Sequence, residues 1–390
     1  MRQPIEFQRT LVTLLASIVC GALAGAIAGW TVSTWSFDLS TFLTGAVERP
    51  MTTTTTVSNP TFTVIPIDRR PQEPIVPPAF TDRRSSPVAS AYRRVARKAG
   101  EEPLLTDDRL LGAAVAVTSD GWFVVPRAVM DGEKPADIIL WHAGRSATAT
   151  RAIADRLSGV VFLKTDLDNL PAPALARLHD VGVGLPVWVE RRVSRFEPQI
   201  VVALSDPATD LNGASSEAVT RRTTVTGMTS AGDMGSPVWS TNGSLVGLVA
   251  SPSGEPLRVI PVTAWAQSLQ SVLSDGVVRH AYLGARTVDL TDVRFETQVP
   301  VGNRGAWLRD DARAKKPAVE RNSPAAAAGL QVGDVIQTID RDILDGSADL
   351  AELLAGYKPE TKVTLSVLRG TVVIEIPVTL GSVVTSEEIK

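Results

Sequence analysis

The hydrophobic and polar positions separate three kinds of segment along this chain. A largely apolar stretch without a charged residue runs from Leu11 to Trp35, and a polar, proline-rich stretch follows it at 36–90. Beyond that, short runs rich in Val, Ile and Thr alternate with turn residues, and helical periodicity is scarce before Trp265. This pattern favours an all-β barrel or sandwich. It predicts strands at 137–141, 187–190, 200–204 and 223–226.

Two dipeptides add turn signals to this β pattern. Asp120-Gly121 and Asn242-Gly243 each lie between two apolar runs. Both residue pairs tolerate the positive φ angles that tight hairpin turns require. We therefore predict a β-hairpin at each position.

The apolar stretch at 11–35 is long enough to cross a bilayer as a helix. Basic residues precede it and acidic residues follow it: Arg2, Arg9, Asp38 and Glu48. This Lys/Arg bias predicts a cytoplasmic N-terminus at 1–10 and places the folded part outside the cytoplasm. A cleaved signal peptide is the competing interpretation, because Ala26-Ile27-Ala28 resembles a small-residue cleavage site. We favour a retained signal anchor, since the apolar stretch continues to Trp35.

The stretch at 36–90 has the composition of a linker. It contains five consecutive threonines, Thr52–Thr56, and many prolines. Such a segment buries too little apolar surface to repay its ordering entropy, and its prolines favour extended conformations. We predict a solvated spacer between the membrane and the folded part.

Charge and cysteine content exclude several classes of function. The chain carries 39 basic and 42 acidic residues, and its net charge of −3 gives no reason to expect a nucleic-acid partner. Cys20 is the sole cysteine and lies in the apolar stretch, so neither a disulfide framework nor a cysteine-based metal site is available. We expect no cofactor and no metal.

The most informative motif is Gly-Asp-Met-Gly-Ser-Pro at 232–237. It resembles the Gly-Asp-Ser-Gly-Gly-Pro motif of chymotrypsin-fold serine proteases, with Met234 at the position of the nucleophilic serine. A thioether can neither attack a carbonyl carbon nor be activated by a base. The motif therefore keeps the loop of a protease without its reactive hydroxyl.

Other segments extend this resemblance in one collinear order. GAAVAVTSDGWFVVPRAVM at 112–130 and DRLSGVVFLK at 155–164 resemble the histidine and acid segments of HtrA-type proteases. SPAAAAGLQVGDVIQTI at 323–339 resembles the core of a PDZ domain. The similarity covers roughly residues 91–382, and the sequence is identified as a degenerate member of the HtrA-like family.

The resemblance implies a domain organisation. A trypsin-like domain of two perpendicular six-stranded barrels is expected at 91–275, with a short helix at 265–273 near its end. An α+β PDZ domain is expected at 279–385. The resemblance also places Ala128, Gly159 and Met234 at the base, acid and nucleophile positions of the triad, with Gly232, Asp233 and Met234 as a remnant oxyanion loop. We therefore expect an inactive homologue, that is, no enzyme.

The PDZ-like part keeps more of its functional pattern. Tyr282, Leu283, Gly284 and Ala285 occupy the place of the loop that binds a peptide's terminal carboxylate with backbone amides. SADLAELLA at 347–355 is predicted to be the helix that forms the other wall of the groove, with Leu350 and Leu354 on one face. The alternative interpretation is that these leucines only fill the hydrophobic core.

Three functions remain open from the sequence. The first is a membrane-anchored regulator or scaffold that binds C-terminal peptides, unfolded or membrane proteins, or active HtrA homologues outside the cytoplasm. The second is an active serine endopeptidase with a rearranged site, for which the displaced candidates are Ser236 and the histidines His142, His179 and His280. The third is a purely structural membrane-associated homo-oligomer. We favour the first, in the periplasm or outside the cell, because all three triad positions are replaced.

Overall fold

Short β-strands make up most of the folded part, as the alternating pattern predicts. The computed structural model describes residues 86–94, 105–191, 195–204, 212–293 and 303–389. All of them belong to one compact unit, Pro71–Lys390. Within these ranges no helix is long and apolar enough to cross a membrane. The predicted signal anchor at 11–35 lies outside the described residues.

The first half of the β structure is one eight-stranded antiparallel sheet. Its strands are β1 (Val88–Arg93), β2 (Leu110–Ala116), β3 (Trp122–Pro126), β4 (Ile138–His142), β5 (Arg145–Thr148), β6 (Arg151–Asp155), β7 (Val160–Lys164) and β23 (Ser386–Ile389). They pair in the order β23-β6-β7-β3-β2-β1-β4-β5. The hairpin predicted at Asp120-Gly121 joins β2 to β3, and Gly121 has a φ of +100°.

This sheet differs from the six-stranded barrel that the resemblance implies. Strand β23 comes from the end of the chain and pairs with β6, from Ser386 opposite Asp155 to Ile389 opposite Ala152. The edge of β6 is thereby covered by backbone that follows the PDZ-like part. Strand β1 begins at Val88, inside the range assigned above to the linker, because it pairs with both β2 and β4.

The second half is a closed barrel of six strands. These are β8 (Pro186–Arg191), β9 (Arg195–Ala203), β11 (Thr223–Met228), β12 (Pro237–Ser240), β13 (Leu245–Val249) and β14 (Pro256–Pro261), paired in the cyclic order β11-β14-β13-β12-β8-β9. The hairpin at Asn242-Gly243 joins β12 to β13 with Gly243 at φ +84°, as predicted. Helix α1 (Ala266–Asp275) follows and ends at Gly276, whose left-handed conformation caps it.

The PDZ-like part is built from a further sheet of short strands, a two-stranded sheet and two short helices. It contains β10 (Ala214–Ser215), β15 (Arg279–Tyr282), β16 (Arg286–Asp289), β17 (Ala306–Leu308), β18 (Val335–Ile339), β19 (Asp342–Ile343), β20 (Lys362–Arg369), β21 (Val372–Thr379) and β22 (Gly381–Val384), with α2 (Pro324–Ala327) and α3 (Leu350–Ala355). The main sheet has the order β10-β16-β17-β18-β20-β21, with β19 on β18, while β15 pairs with β22. Strand β10 reaches this sheet from the segment between two barrel strands.

The described hydrophobic core is continuous between the barrel and the PDZ-like part. Trp265 is fully buried and its ring meets the edge of Phe162 from β7, with centroids 6.3 Å apart. The same buried cluster includes Ala351 and Ala355 of α3. These small side chains let the helix pack closely on the barrel.

A buried carboxylate joins the elements at this boundary. Asp155, at the end of β6, is inaccessible to solvent and lies 2.9 Å from His280 Nε2 on β15. The hydroxyls of Ser158, Ser268 and Thr385 donate to the same carboxylate at 2.7, 2.8 and 3.2 Å. Burial opposes ionisation, but the hydrogen bond and charge of His280, with the serine hydroxyls, hold the pKa of Asp155 below its usual range. We call this cluster of Asp155, His280, Ser158, Ser268 and Thr385 the joint. It connects β6, α1, β15 and the C-terminal segment.

We predict that His280→Ala destabilises the described unit, because it leaves Asp155 buried without its strongest partner. The expected loss is about 3 kcal/mol in the free energy of unfolding, measured by urea denaturation. His179→Ala is the matched control, since the side chain of His179 is 77% exposed and its nearest carboxylate, on Asp342, is 3.8 Å away. Equal urea midpoints for His280→Ala and the wild type would show that the joint does not hold the fold.

Candidate functional site

The loop at 232–237 is shaped by glycines at positive φ. Gly232 has a φ of +86° and Gly235 a φ of +80°. A Cβ on Gly235 would lie 2.0 Å from the Ala113 carbonyl oxygen, so only glycine fits this approach to β2. The Ala113 amide in turn donates to the Met234 carbonyl at 2.7 Å. The protease-like loop is therefore seated on the first sheet through its backbone.

Side chains hold the same loop from the other side. Asp233 is buried, accepts a hydrogen bond from the Ser230 amide at 2.5 Å and forms an ion pair with Arg191 of β8. Met234 is partly buried and packs on the hydrophobic cluster of the first sheet, which includes Val129 and Met130. Met234 thus packs on the first sheet as an apolar side chain.

The other two triad positions are neighbours in the structure. Ala128 is exposed in a 3₁₀ helix, Arg127–Met130, and the Arg127 amide donates to the Gly159 carbonyl at 2.9 Å. Gly159 has a φ of +81° and its amide donates to the Asp155 carbonyl. The structure therefore places Ala128 beside Gly159, and none of the three triad positions carries an ionisable or nucleophilic side chain.

The remnant oxyanion loop also offers backbone amide donors, which do not depend on the triad side chains. Within the described ranges, the amides of Gly232 and Met234 donate to no acceptor in the chain. Amides without an internal partner can bind an oxyanion of a ligand. Their role in this protein stays a prediction.

The three histidines do not supply a displaced base at this loop. His142 is buried and its Nε2 lies 2.8 Å from the Ser86 carbonyl oxygen, while His179 is exposed beside Asp342. His280 belongs to the joint with Asp155. The Ser236 hydroxyl is buried and has no hydrogen-bond partner among the described residues.

Among the described histidines, one contacts both a serine hydroxyl and an aspartate carboxylate. This is His280, which contacts Ser268 and Asp155. Both the Ser268 hydroxyl, at 3.2 Å, and the Asp155 carboxylate, at 2.9 Å, meet the same ring nitrogen, Nε2. A catalytic triad needs the nucleophile on one ring nitrogen and the acid on the other. All three side chains are also buried, so this cluster stabilises the joint and is not arranged for nucleophilic attack.

The loop after β15 binds a carboxylate in the structure. The amides of Leu283 and Gly284 both donate to Glu217 Oε1, at 3.0 and 2.9 Å. Gly284 has a φ of +75°, which turns successive amides toward one point. Tyr282 flanks the loop and donates to Glu320 at 2.8 Å; burial, followed by this hydrogen bond, raises the pKa of its phenol. Backbone curvature at Gly284 therefore creates an anion site.

Residues next to Glu217 extend this contact along the sheet. Strand β10 lies antiparallel to β16, with Ser215 opposite Arg286 and Ala214 opposite Thr287. The Ser216 amide donates to the Ala285 carbonyl at 3.0 Å, and the Ala285 amide donates to Ser216 Oγ at 3.2 Å. Sequence reasoning named the loop but missed Ser216 and Glu217. No pattern in the sequence relates them to a loop that lies 66 or more residues away.

The predicted leucines of α3 lie inside the PDZ-like core. Leu350 and Leu354 are buried in the same cluster as Leu283 and Ala285. The helix also carries Glu352, which accepts from Thr263 Oγ1 at 2.7 Å and lies 3.5 Å from Arg221. One face of α3 thus fills the PDZ-like core, while another contacts the barrel.

Comparison with known proteins identifies both parts. A PDZ-domain model matches residues 281–380. A probable periplasmic serine endoprotease DegP-like of Halomonas elongata is 27% identical over 282 residues, covering 70% of this chain and 56% of its own length. Serine endoprotease DegS of Haemophilus influenzae is 25% identical over 287 residues, covering 69% of this chain and 76% of its own. The chain is an HtrA-like protein. It spans little more than half the length of the DegP-like relative.

Solved structures show the same fold. The HtrA-type protease AlgW with a decapeptide has a TM-score of 0.50 and 21% identity, over 77% of this chain and 97% of that one. At this identity the likeness concerns the fold alone. The HtrA-like protein therefore has the trypsin-like β fold followed by a PDZ domain that its sequence motifs predict.

The relatives overturn one expectation from the sequence. The prediction that the chain is not an enzyme is wrong against the family evidence, because both relatives are named serine endoproteases. The replacement of Ala128, Gly159 and Met234 excludes the conventional triad at these positions. It does not by itself exclude a nucleophile and a base at other positions, so replaced side chains alone are no proof of lost activity.

Carboxylates at the contact between the barrel and α3 have raised pKa values. Asp289, Asp349 and Glu352 all interact with the single guanidinium of Arg221. Burial is the main cause in each case. It raises the pKa of Asp349 to about 7, and the charges of Glu352 and Asp289 add to this effect while the Glu352 amide and Arg221 oppose it.

We predict that this HtrA-like protein loses stability as the pH rises toward 7, through Asp349. The folded-state pKa is about 7 against 3.8 in the unfolded chain, so the contribution is present below pH 4 and is lost as the pH passes through 7. Asp349→Asn keeps an N-cap for α3 but does not ionise. Its stability relative to the wild type is expected to increase by about 2 kcal/mol between pH 5 and pH 8, in urea titrations.

Asp131→Asn, at an exposed carboxyl, serves as the matched control. Its stability should run parallel to that of the wild type over the same pH range. If Asp349→Asn also ran parallel, the Asp349 carboxyl would be ionised in the folded protein.

Proposed function

We propose that this HtrA-like protein binds the C-termini of polypeptides outside the cytoplasm through its PDZ domain. The observation that carries the proposal is the carboxylate held by two consecutive loop amides, at Leu283 and Gly284. A polypeptide C-terminus presents the same chemical group. Hydrogen bonds from amides to a charged acceptor are among the stronger ones in proteins.

The strand beside the loop supports the same function. Strand β16 has one edge paired with β17, while on its other edge the described residues pair only with Arg286 and Thr287. An extended peptide can add to such an edge by main-chain hydrogen bonds, with its carboxylate at the loop. The HtrA-type protease AlgW, which shares the fold, has been solved with a decapeptide and with a tripeptide.

The relatives and the N-terminal pattern support a location outside the cytoplasm. The DegP-like relative is named periplasmic. A signal anchor at 11–35 would hold the PDZ domain near the outer face of the cytoplasmic membrane, within reach of membrane and secreted proteins. The binding role therefore includes exposed C-termini of polypeptides in that compartment.

A second candidate function is peptide-bond hydrolysis by a rearranged serine site. The names of the relatives favour it. The loop at 232–237 offers two unpaired amides within the described ranges and the unpartnered hydroxyl of Ser236. Ser236 is fully buried, so attack on a substrate would require the loop to move.

We predict that the full chain binds free-acid decapeptides with apolar C-terminal residues and that amidation of the terminus weakens binding at least about tenfold. Amidation removes the charge that the loop amides bind, while the side chains stay the same. The measurement is fluorescence anisotropy with paired free-acid and amidated peptides. Equal affinity for the two forms would mean that the loop is not a carboxylate site.

Gly284→Val should weaken binding of the same free-acid peptides by about tenfold or more. A Cβ at Gly284 would lie 2.3 Å from the Ser323 Cβ, at a φ of +75°, so the loop must change shape. Gly370→Val is the matched control. It has the same kind of positive φ, +64°, but nothing lies within 4 Å of its Cβ position. Equal weakening by both variants would indicate general strain and not loss of the anion site.

For the second candidate, we predict covalent labelling of one serine by a fluorophosphonate probe, together with cleavage of unfolded casein. Mass spectrometry of the labelled protein locates the nucleophile without assuming its position. Loss of labelling in Ser236→Ala but not in Ser244→Ala would assign it to the 232–237 loop. Neither labelling nor cleavage in stringently purified protein would reject this candidate and leave C-terminal binding as the function.

A further inference from the structure

The carboxylate at the PDZ loop belongs to the chain itself. Glu217 and the short strand β10 lie between barrel strands β9 and β11, yet β10 pairs with β16 of the PDZ domain. Gly213 allows this close approach, because a Cβ there would lie 2.2 Å from the Arg309 carbonyl oxygen. The segment 213–217 is therefore a part of the barrel domain that is seated in the PDZ domain.

The contacts of this segment match those that a C-terminal peptide would make. The Glu217 carboxylate lies on the Leu283 and Gly284 amides, where a terminal carboxylate would lie. Strand β10 runs antiparallel to β16 and approaches the loop with its C-terminal end, which is also the direction of an added peptide strand. Only 6% of Glu217 is exposed, so the anion site is filled.

We propose that the segment 213–217 is an internal ligand of the PDZ domain that competes with polypeptide C-termini for the loop at 282–285. The inference rests on the proposed function, because it concerns the same binding site. A C-terminus gains access only when the Glu217 carboxylate leaves the loop amides. The apparent affinity for a peptide is then reduced by the fraction of molecules in which the segment is seated.

The size of the internal contact makes replacement by a peptide feasible. Strand β10 has two residues and pairs with only Arg286 and Thr287 of β16, which continues to Asp289. A longer extended peptide can pair with the whole strand and thus makes more main-chain hydrogen bonds than the internal segment. Two further partners of the Glu217 carboxylate, the Ser215 and Ser216 hydroxyls at 2.6 and 2.7 Å, leave with the segment itself. They therefore do not hold it in the groove.

The test compares the affinity of the full chain for peptides in the wild type, Glu217→Gln and Glu217→Ala. The probe is an equimolar set of fluorescein-labelled, free-acid decapeptides that differ in their last two apolar residues. Both variants should bind with an apparent Kd about tenfold lower than the wild type, because they lack the charged acceptor that fills the loop. Glu255→Gln, at an exposed glutamate on the barrel, is the matched control and should bind like the wild type.

Amide hydrogen exchange of the wild type gives an independent measurement, because it requires no substitution. Saturating peptide should speed amide exchange at 212–219, since the Ser216 amide loses its Ala285 acceptor, and slow exchange at 283–288. Unchanged exchange at 212–219 in a protein that binds peptide would overturn the proposal, as would an equal Kd for Glu217→Ala and the wild type.

The two hypotheses fail in different ways. Binding that is equal in all variants contradicts the internal ligand but leaves C-terminal binding intact. No binding even in Glu217→Ala contradicts the proposed function, and with it the competition, because the vacated loop would then accept no C-terminus. Binding that appears only after substitution of Glu217 supports both.

Discussion

A buried carboxylate cannot stay ionised at low energetic cost unless donors surround it, and this constraint shapes the boundary between the barrels and the PDZ domain. Asp155 satisfies it with donors from four separate places: His280, Ser158, Ser268 and Thr385. An isolated charge in an apolar interior would cost many kcal/mol, so these donors have to arrive together. The pairing of β23 with β6 begins directly after Thr385 and adds backbone hydrogen bonds to the same joint.

The same rule operates at two other contacts between the domains. Glu217 accepts hydrogen bonds from backbone amides of the loop after β15. Glu352 accepts a hydrogen bond from Thr263 and forms an ion pair with Arg221, both in the barrel domain. In each case a carboxylate of one domain is satisfied by donors of the other. Apolar packing of Ala351 and Ala355 on the barrel core supplies the area between these contacts. The PDZ domain is thus held by directional polar contacts around a small apolar centre, an arrangement that a competing ligand can open locally.

In the loop at 232–237 the backbone path and the catalytic side chain depend on different residues. Gly232 and Gly235 keep positive φ angles and Gly235 has no space for a Cβ, so the backbone path is constrained regardless of the residue at position 234. The side chain at 234 packs against a hydrophobic cluster, and methionine fits there. Fold similarity therefore persists where the conventional triad does not, and the names of the relatives bear on activity more than the fold does.

The sequence by itself determined the class of the fold. Short runs rich in Val, Ile and Thr and the dipeptides Asp120-Gly121 and Asn242-Gly243 are local signals, and the structure has strands and hairpins at those places. The sequence also located the loop with Gly284 and the glycines around Met234, since glycine at a position of positive φ is a property of the local backbone.

Only the tertiary structure decided what lies on that loop and at the joint. Glu217 and Leu283 are 66 positions apart, and Asp155 and Thr385 are 230 apart. No periodicity relates such pairs, because their contact results from the way whole domains pack. Likewise, β23 adds to the first sheet only because the chain returns to the free edge of β6, which is a consequence of domain arrangement and leaves no trace in local residue preference.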